Sequence, residues 1–178
     1  MSHDDLNDRA PPQTLTLRDG RSVVVRSIQP EDKAMLDDAF DRLCKEARYS
    51  RFFTVVRSVP ADILQPRAPG PHGHVVALVA LSGDGPEETM VGGARYITDV
   101  TGETCEFAVT VADDWCGRGM ARQLMGCLID IARDRHVRRM EGTVLSTNTG
   151  MRALATRLGF RDAPYPGDYS LRSVVLDL

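Results

Sequence analysis

The stretch from Glu106 to Arg122 constrains the fold more than any other, because it joins a strand, a glycine turn and a helix start. Its strand is rich in β-branched residues, and its turn, Cys116–Ala121, sets an arginine between two glycines. Main-chain N–H groups at such a turn point outward where the helix dipole favours an anion. Glycines let the main chain approach that anion closely, since they carry no Cβ. The segment is therefore predicted to bind a phosphate-bearing ligand.

Bulk properties limit the class of protein. With 178 residues, the chain is long enough for one domain with a sizeable core. Its net charge of −3 argues against a dedicated nucleic-acid binder, which would carry a strong basic excess. The sequence has no apolar run of about 18 residues, so no membrane span is expected. The polar, acidic N-terminus does not resemble a signal peptide, which makes a cytoplasmic location the default expectation.

The cysteines and histidines do not form a metal-binding pattern. Four cysteines stand at positions 44, 105, 116 and 127 without any C-x-x-C pair, so we expect reduced thiols rather than disulfides or a zinc site. His72 and His74 lie in a loop rich in proline and glycine, with no carboxylate or cysteine framework beside them. No metal is predicted.

The rest of the chain predicts antiparallel hairpins followed by a strand–helix–strand crossover. We expect strands at 15–17, 23–28, 75–81, 90–98, 104–111, 140–145 and 169–176. Longer helices are expected from Pro30, after the glycine turn and after Asn148, with short helices over 47–53 and 60–64. Because such a crossover makes its two strands parallel neighbours, 104–111 and 140–145 are predicted to pair.

Two common phosphate-binding motifs do not fit the glycine turn. A P-loop requires G-x-x-x-x-G-K-[ST], which the sequence lacks. A Rossmann dinucleotide site requires G-x-G-x-x-G, and here Arg122 holds the third glycine position. Glu141 follows at the distance of the acidic ribose ligand, but too little chain remains to complete a doubly wound sheet.

The turn resembles instead the Q-x-x-G-x-G/A pyrophosphate loop of the GNAT superfamily of acyl-CoA N-acyltransferases. Cys116 departs from this pattern, since the family has Gln or Arg at that position. Asn148 and the later Leu158–Phe160 resemble the cofactor-side helix of the family. The resemblance implies an α+β fold with a mixed central sheet of about 6–7 strands flanked by helices. We expect one such domain over residues 14–178, behind a disordered leader over residues 1–13.

A narrower resemblance, covering roughly residues 15–162, is to the bacterial Pat-type protein lysine acetyltransferase domain. It is carried by Leu17–Gly20, Val25–Asp32, Arg48–Phe53, Gly93–Tyr96 and Glu106–Val109. The basic and aromatic residues of Arg48–Phe53 fit two interpretations: they line an acceptor groove, or they form an ordinary amphipathic helix.

The resemblance implies that the central segment holds acetyl-CoA. Val109 and Val111 would pair with the pantetheine arm through their main chain, and the loop N–H groups would bind the pyrophosphate. Arg118 and Arg122 either add charge to the pyrophosphate contacts or are solvated surface side chains. The predicted coenzyme A residues are Val109, Val111, Cys116, Gly117, Arg118, Gly119, Met120, Ala121, Arg122 and Asn148.

The resemblance to Pat-type domains implies that Glu106, on the strand that leads into the glycine turn, is the catalytic base, directly or through water. The alternative is an ordinary exposed strand carboxylate. Only about 0.04% of a lysine amine is neutral at pH 7, so a positioned base has considerable effect. Many superfamily members protonate the leaving thiolate with a Tyr at the position where this chain has Ala155, so the sequence offers no candidate general acid there. Cys116 is expected at the start of the helix, where a thiolate would be stabilised, and is interpreted as a small filler rather than a covalent catalyst.

These observations predict an N-acetyltransferase that moves an acetyl group from acetyl-CoA to a primary amine. The acceptor is left open between a protein lysine and a small-molecule amine. A different class of function is a non-catalytic acyl-CoA-binding sensor. No nucleic-acid or membrane partner is expected, and the sequence leaves open whether the chain forms a homodimer.

Overall fold

An eight-stranded mixed sheet organises the part of the chain that the computed structural model describes, residues 10–43 and 74–178. Its order is β1-β2-β3-β4-β5-β6-β8-β7. The strands are β1 (Gln13–Thr16), β2 (Ser22–Ser27), β3 (Val75–Ser82), β4 (Thr89–Thr98), β5 (Thr104–Val111), β6 (Arg139–Leu145), β7 (Arg161–Tyr165) and β8 (Asp168–Asp177). The predicted α+β fold with a mixed sheet is confirmed.

Within the same ranges, three α-helices flank the sheet: α1 (Lys33–Arg42), α2 (Met120–Asp134) and α3 (Thr149–Arg157). A 3₁₀ turn at Pro30–Asp32 precedes α1, since proline fits the first turn of a helix, where its missing N–H costs nothing. Helix α3 ends before Gly159, whose φ of +93° is a backbone conformation that few residues other than glycine adopt. Helix α2 ends at Asp134.

Strand pairing follows the predicted pattern of hairpins and one crossover. Neighbouring strands pair antiparallel except β5 and β6, which the crossover through α2 makes parallel, as the sequence predicts. The sheet has one strand more than the upper end of the expected 6–7. The missed strand is β7, an exposed edge strand that contains Pro164 and so lacks the alternating apolar pattern by which strands are recognised.

The two faces of the sheet bury different apolar sets. Helix α2 packs on β3, β4 and β5 through a stripe that includes the fully buried Leu124, Met125 and Leu128. On the opposite face, Leu36 and Ala39 of α1 pack against a small cluster of buried residues: Val79, Leu81 and Met90. Helices thus cover both faces of the sheet. Strand β5 has β4 along one edge and β6 along the other.

Some predictions fall on residues that the structure does not describe. The described ranges exclude the short helices over 47–53 and 60–64, the residues Arg48–Phe53 and the proline- and glycine-rich loop around His72. The leader prediction concerns residues 1–13, of which 10–13 are described: the Ala10 N–H donates to Ser27 Oγ at 2.8 Å, and Gln13 begins β1. Over the described ranges, no helix has the length and apolar character needed to cross a membrane. No cluster of metal-ligating side chains occurs there either.

Candidate active site

A cleft opens between the two parallel strands β5 and β6. Their ladder has three residue pairs, from Thr104↔Arg139 to Glu106↔Glu141, and then ends. Strand β5 continues to pair with β4 as far as Val111, and β6 continues to pair with β8 as far as Leu145. The edge of β5 that faces β6 therefore lacks a partner strand after Glu106.

The main chain of Val109 and Val111 points into this cleft. The Ala112 N–H donates to the Val91 carbonyl of β4 at 2.9 Å, so the N–H and C=O groups of even-numbered residues on β5 point toward β4. Since these groups alternate in direction along a strand, those of Val109 and Val111 point the other way. The cleft thus offers strand-type donors and acceptors at the two positions expected to pair with a pantetheine arm.

Beyond Val111 the chain forms the glycine loop, whose backbone leaves its N–H groups free. Gly117 and Gly119 have φ of +76° and +88°, values that few other residues adopt. Within the described ranges, the main-chain N–H groups from Gly117 to Arg122 donate no hydrogen bond. Six consecutive donors at the positive end of α2 form a cradle suited to a pyrophosphate.

The expectation that Cys116 lies at the start of the helix is wrong. Helix α2 begins at Met120, and Cys116 instead ends a 3₁₀ turn at Asp113–Trp115 with an extended backbone. Three residues, Gly117–Gly119, separate Cys116 from the helix, and the apolar periodicity of the helix does not show where its first turn begins. The exposed Cys116 thiol lies 3.5 Å from the Ala112 carbonyl.

The two loop arginines differ in their surroundings. The Arg118 Nε donates to Asp19 Oδ2 at 2.6 Å, and its Nη1 donates to the Cys116 carbonyl at 3.1 Å. The Arg122 side chain, on the first turn of α2, is exposed. Arg118 is thus bound to the protein itself, a contact across 99 positions that no local motif signals.

Asn148 lies across the cleft, where β6 leads into α3. Its Oδ1 accepts a hydrogen bond from the Met151 N–H at 3.0 Å, so its side-chain oxygen caps α3. Ala155, which stands where many superfamily members have a tyrosine, is fully buried within the core. The position therefore supplies neither a hydroxyl nor access to the cleft.

Glu106 stands on β5 at the last pair of the ladder, where the cleft begins. Its Cα partner on β6 is Glu141, and both side chains are exposed. Partners in adjacent strands share a face of the sheet, so two carboxylates stand side by side there. From the sequence, Glu141 is expected at most as the ribose ligand of a dinucleotide site. Its proximity to Glu106 depends on the strand register, which the sequence pattern does not specify.

An apolar groove runs along the same face toward α1. Ala108 and Thr110 follow Glu106 on this face of β5 and line the groove together with Gly93 of β4 and Phe40 of α1. The small side chains on the strands leave room beside the helix. A carboxylate at one end and an apolar wall along the side can accommodate an aliphatic chain that ends in an amine.

Comparison with known families decides the class of this site. Residues 37–160 match the model of the acetyltransferase (GNAT) family, which is well over half of the chain. The chain belongs to the GNAT family. This GNAT protein is 33% identical over 153 residues to "Acetyltransferase PA5475" of Pseudomonas aeruginosa, covering 86% of the present chain and 82% of that protein. Its donor is accordingly acetyl-CoA, and its activity is that of an acetyl-CoA-dependent N-acetyltransferase.

Solved structures share the GNAT fold. The GNAT domain of S. lividans PAT superposes with a TM-score of 0.79 at 23% identity, covering 94% of the present chain and 97% of that domain. The acetyltransferase yncA from Salmonella typhimurium, solved with acetyl-CoA as its cofactor, superposes with a TM-score of 0.66 at 22% identity, covering 88% and 94% of the two chains.

Proposed function

We propose that this GNAT protein transfers the acetyl group of acetyl-CoA to the side-chain amine of a protein lysine, with Glu106 as the general base. The observation that carries the proposal is the position of Glu106 at the last pair of the β5–β6 ladder. The exposed side chain of Glu106 thus lies where the cleft begins, on the face of β5 that continues into the apolar groove. The resemblance to Pat-type domains and the likeness in fold to S. lividans PAT support a protein lysine as acceptor.

In this proposal, acetyl-CoA occupies the cleft between β5 and β6. The pantetheine arm would lie along β5 and hydrogen-bond to the main chain of Val109 and Val111. The pyrophosphate would accept hydrogen bonds from the N–H groups of Gly117–Arg122, with the exposed Arg122 adding charge. Cys116 borders this cradle and Asn148 lies across the cleft from it.

The acceptor must lose a proton before its nitrogen can attack the thioester. A lysine ammonium has a pKa of about 10.4, so removing its proton at pH 7 costs about 4.6 kcal/mol. The Glu106 carboxylate would accept that proton, directly or through one water, leaving a neutral amine at the end of the groove. The departing thiolate has a conjugate-acid pKa of about 8.5, so expulsion without a general acid is feasible and fits the buried Ala155.

The face around Glu106 suits a lysine in particular. The neighbouring carboxylates of Glu106 and Glu141 attract a cationic amine, and the groove beside Ala108 can bind the four methylenes of the side chain. Because both carboxylates are exposed, a side chain on the surface of another protein can reach them.

The test compares the Glu106→Gln variant with wild type on a lysine-containing peptide. We expect kcat to fall by about 100-fold or more at pH 7, as for loss of a general base. The loss should shrink as the pH approaches the pKa of lysine, because the solvent then deprotonates the acceptor. Glu87→Gln is the matched control, since this exposed carboxylate lies in the turn between β3 and β4. Calorimetry should show unchanged CoA binding by both variants.

Two results would contradict the proposal. Unchanged turnover of Glu106→Gln across the pH range would remove Glu106 as the base. A screen of lysate proteins and small amines in which the wild type acetylates only small amines would remove the lysine acceptor and leave a small-molecule N-acetyltransferase.

A further inference from the structure

The turn between β1 and β2 lies against the pyrophosphate loop. The Arg18 N–H donates to the Arg118 carbonyl at 3.2 Å, and the Arg18 side chain lies over Gly119. One helical turn on, Gln123 Nε2 donates to the Thr16 carbonyl at 2.9 Å. The chain thus folds an N-terminal hairpin back onto a loop about a hundred positions later.

Asp19 is the central residue of this contact. One carboxylate oxygen accepts hydrogen bonds from Arg118 Nε at 2.6 Å and from Arg21 Nε at 2.8 Å. The Arg21 guanidinium in turn stacks 3.9 Å above the ring of the buried Trp115, which directly precedes Cys116. The carboxylate therefore connects the middle of the loop to the turn at its beginning.

The Arg118 side chain also joins two points of the loop itself. Its Nη1 donates to the Cys116 carbonyl while its Nε donates to Asp19. Arg118 stands between two glycines at positive φ, a backbone that would be highly flexible in the absence of external contacts. The two hydrogen bonds of the Arg118 guanidinium, to Asp19 and to the Cys116 carbonyl, keep the loop in the conformation that exposes its N–H groups.

We propose that Asp19 is a positioning residue for acetyl-CoA: it holds Arg118 as a strut, and the strut keeps the pyrophosphate loop ready to bind. In this arrangement the N–H groups of the loop bind the anion and the Arg118 guanidinium braces them. The inference rests on the proposed placement of the pyrophosphate at Gly117–Arg122, but not on the identity of the acceptor. It gives a role in acetyl-CoA binding to Asp19, which the sequence marks only as part of the Leu17–Gly20 resemblance.

Simple electrostatics and the proposed positioning role predict opposite changes in CoA affinity when Asp19 is removed, which makes the proposal testable. Asp19 carries a negative charge close to where a dianionic pyrophosphate would bind. If it merely competed with the ligand for Arg118, its removal would strengthen CoA binding. If Asp19 instead holds Arg118 in place, its removal lets the loop sample other conformations. CoA binding then weakens, because the loop loses that conformational entropy when the ligand binds.

The experiment measures CoA binding by calorimetry for Asp19→Ala, Arg118→Met and the double variant. We expect each single variant to raise the Kd about tenfold, and the double variant to be no worse than either, since both remove one brace. Asp37→Ala is the matched control: its carboxylate also forms a 2.7 Å ion pair, with Lys33 on α1, away from the loop. The control should leave the Kd unchanged.

A second measurement separates positioning from general damage to the fold. S-acetyl-pantetheine delivers the same thioester but lacks the pyrophosphate. Asp19→Ala should raise the KM for acetyl-CoA and leave the KM for S-acetyl-pantetheine unchanged, and Asp19→Glu should restore part of the acetyl-CoA affinity.

The outcomes distinguish this inference from the proposed function. Three results would each contradict the positioning role of Asp19: tighter CoA binding by Asp19→Ala, an equal rise in KM for both donors, or additive effects in the double variant. A wild type that binds CoA but acetylates no lysine would overturn the acceptor proposal and leave the calorimetric test intact. A wild type that binds no CoA would overturn both.

Discussion

The ring of Phe107 lies so close to Gly142 that no side chain fits at position 142. A Cβ placed on Gly142 would lie 2.6 Å from Phe107 Cε1, well inside van der Waals contact. Both residues directly follow Glu106↔Glu141, the last pair of the β5–β6 ladder. The ring also meets Phe160 edge-on, with centroids 5.2 Å apart. A packed aromatic pair thus fills the space between the strands at the level where the cleft opens.

Gly142→Ala should destabilise the protein and disturb the cleft. The added methyl must displace the Phe107 ring from its contact with Phe160, and overpacking of this kind costs about 1–3 kcal/mol. Urea unfolding followed by circular dichroism measures this loss. Because Phe107 precedes Ala108 and Val109 on β5, we also expect the KM for acetyl-CoA to rise.

The matched control for this variant is Gly126→Ala. Gly126 lies inside α2, and a Cβ there would meet nothing within 4 Å. Alanine should stabilise this position by up to about 1 kcal/mol, because it favours the helix over the unfolded chain. A Gly142→Ala protein as stable as wild type would show that the aromatic pair yields at little cost.

The local parts of this fold could be predicted from the sequence because they depend on neighbouring residues. The strand, glycine turn and helix of Glu106–Arg122 each carry their own signal in side-chain pattern and glycine placement, and the family resemblance supplied their order. The crossover rule then gave the parallel pairing of β5 and β6.

The contacts that the sequence did not predict depend on the register and packing of segments far apart in the chain. Asp19 meets Arg118 because the β1–β2 turn docks on the loop, and Glu141 stands beside Glu106 because the ladder aligns these two positions. A shift of one residue in that ladder would put Glu141 on the opposite face. Apolar periodicity specifies which face of a strand is buried, but not which polar residues become neighbours.

Asp32 should contribute stability that is lost in acid. This buried carboxylate accepts hydrogen bonds from Nη1 and Nη2 of Arg26, at 2.7 and 2.8 Å, and from the Gln29 N–H at 2.7 Å. Burial raises the pKa of Asp32, but the hydrogen bonds from Arg26 and Gln29 outweigh it and hold the pKa below its ordinary value. Its contribution is therefore fully present above the unfolded-state pKa of about 3.9 and disappears as the pH falls through the lower folded-state pKa.

Asp32→Asn should cost about 3 kcal/mol at pH 7, since it leaves the largely buried Arg26 without its charged partner. The stability difference between wild type and variant should stay constant from pH 7 to about 5 and narrow below about 4. Asp37→Asn, on the exposed face of α1, should cost less than about 0.5 kcal/mol. Urea unfolding at several pH values tests both, and a pH-independent difference would contradict this assignment.

The described cysteines should differ sharply in reactivity. Burial, with the negative charges of Glu141 and Asp99, raises the pKa of Cys105 to about 12. At pH 8 only about one Cys105 thiol in ten thousand is ionised, whereas Cys116 is exposed beside the loop. Site-resolved mass spectrometry after iodoacetamide treatment should find Cys116 modified and Cys105 intact until urea unfolds the protein.

CoA should protect Cys116 from this alkylation, because the proposed pyrophosphate site begins at the next residue. Cys116→Ala should keep turnover within about twofold of wild type, since the thiol contacts of Cys116 with the Ala112 and Val111 carbonyls, at 3.5 and 3.9 Å, are weak. Loss of turnover in this variant would indicate a chemical role for the thiol and contradict its interpretation as a small filler.

Glu141→Gln should weaken the binding of a cationic acceptor without removing the base. Glu141 stands beside Glu106 on the same face, so its charge adds to the attraction for a lysine ammonium. We expect the KM for a lysine peptide to rise about three- to tenfold and kcat to stay within about twofold, as for loss of a partly screened ion pair. The KM of the wild type should also depend more steeply on salt than that of the variant.

The comparison with Glu106→Gln makes this prediction specific. If Glu106 is the base and Glu141 attracts the acceptor, the first variant loses kcat and the second loses affinity. A neutral acceptor of similar shape should show no change in KM with Glu141→Gln, since it carries no charge to attract. A fall in kcat of Glu141→Gln as large as that of Glu106→Gln would instead mean that the two carboxylates share the proton transfer.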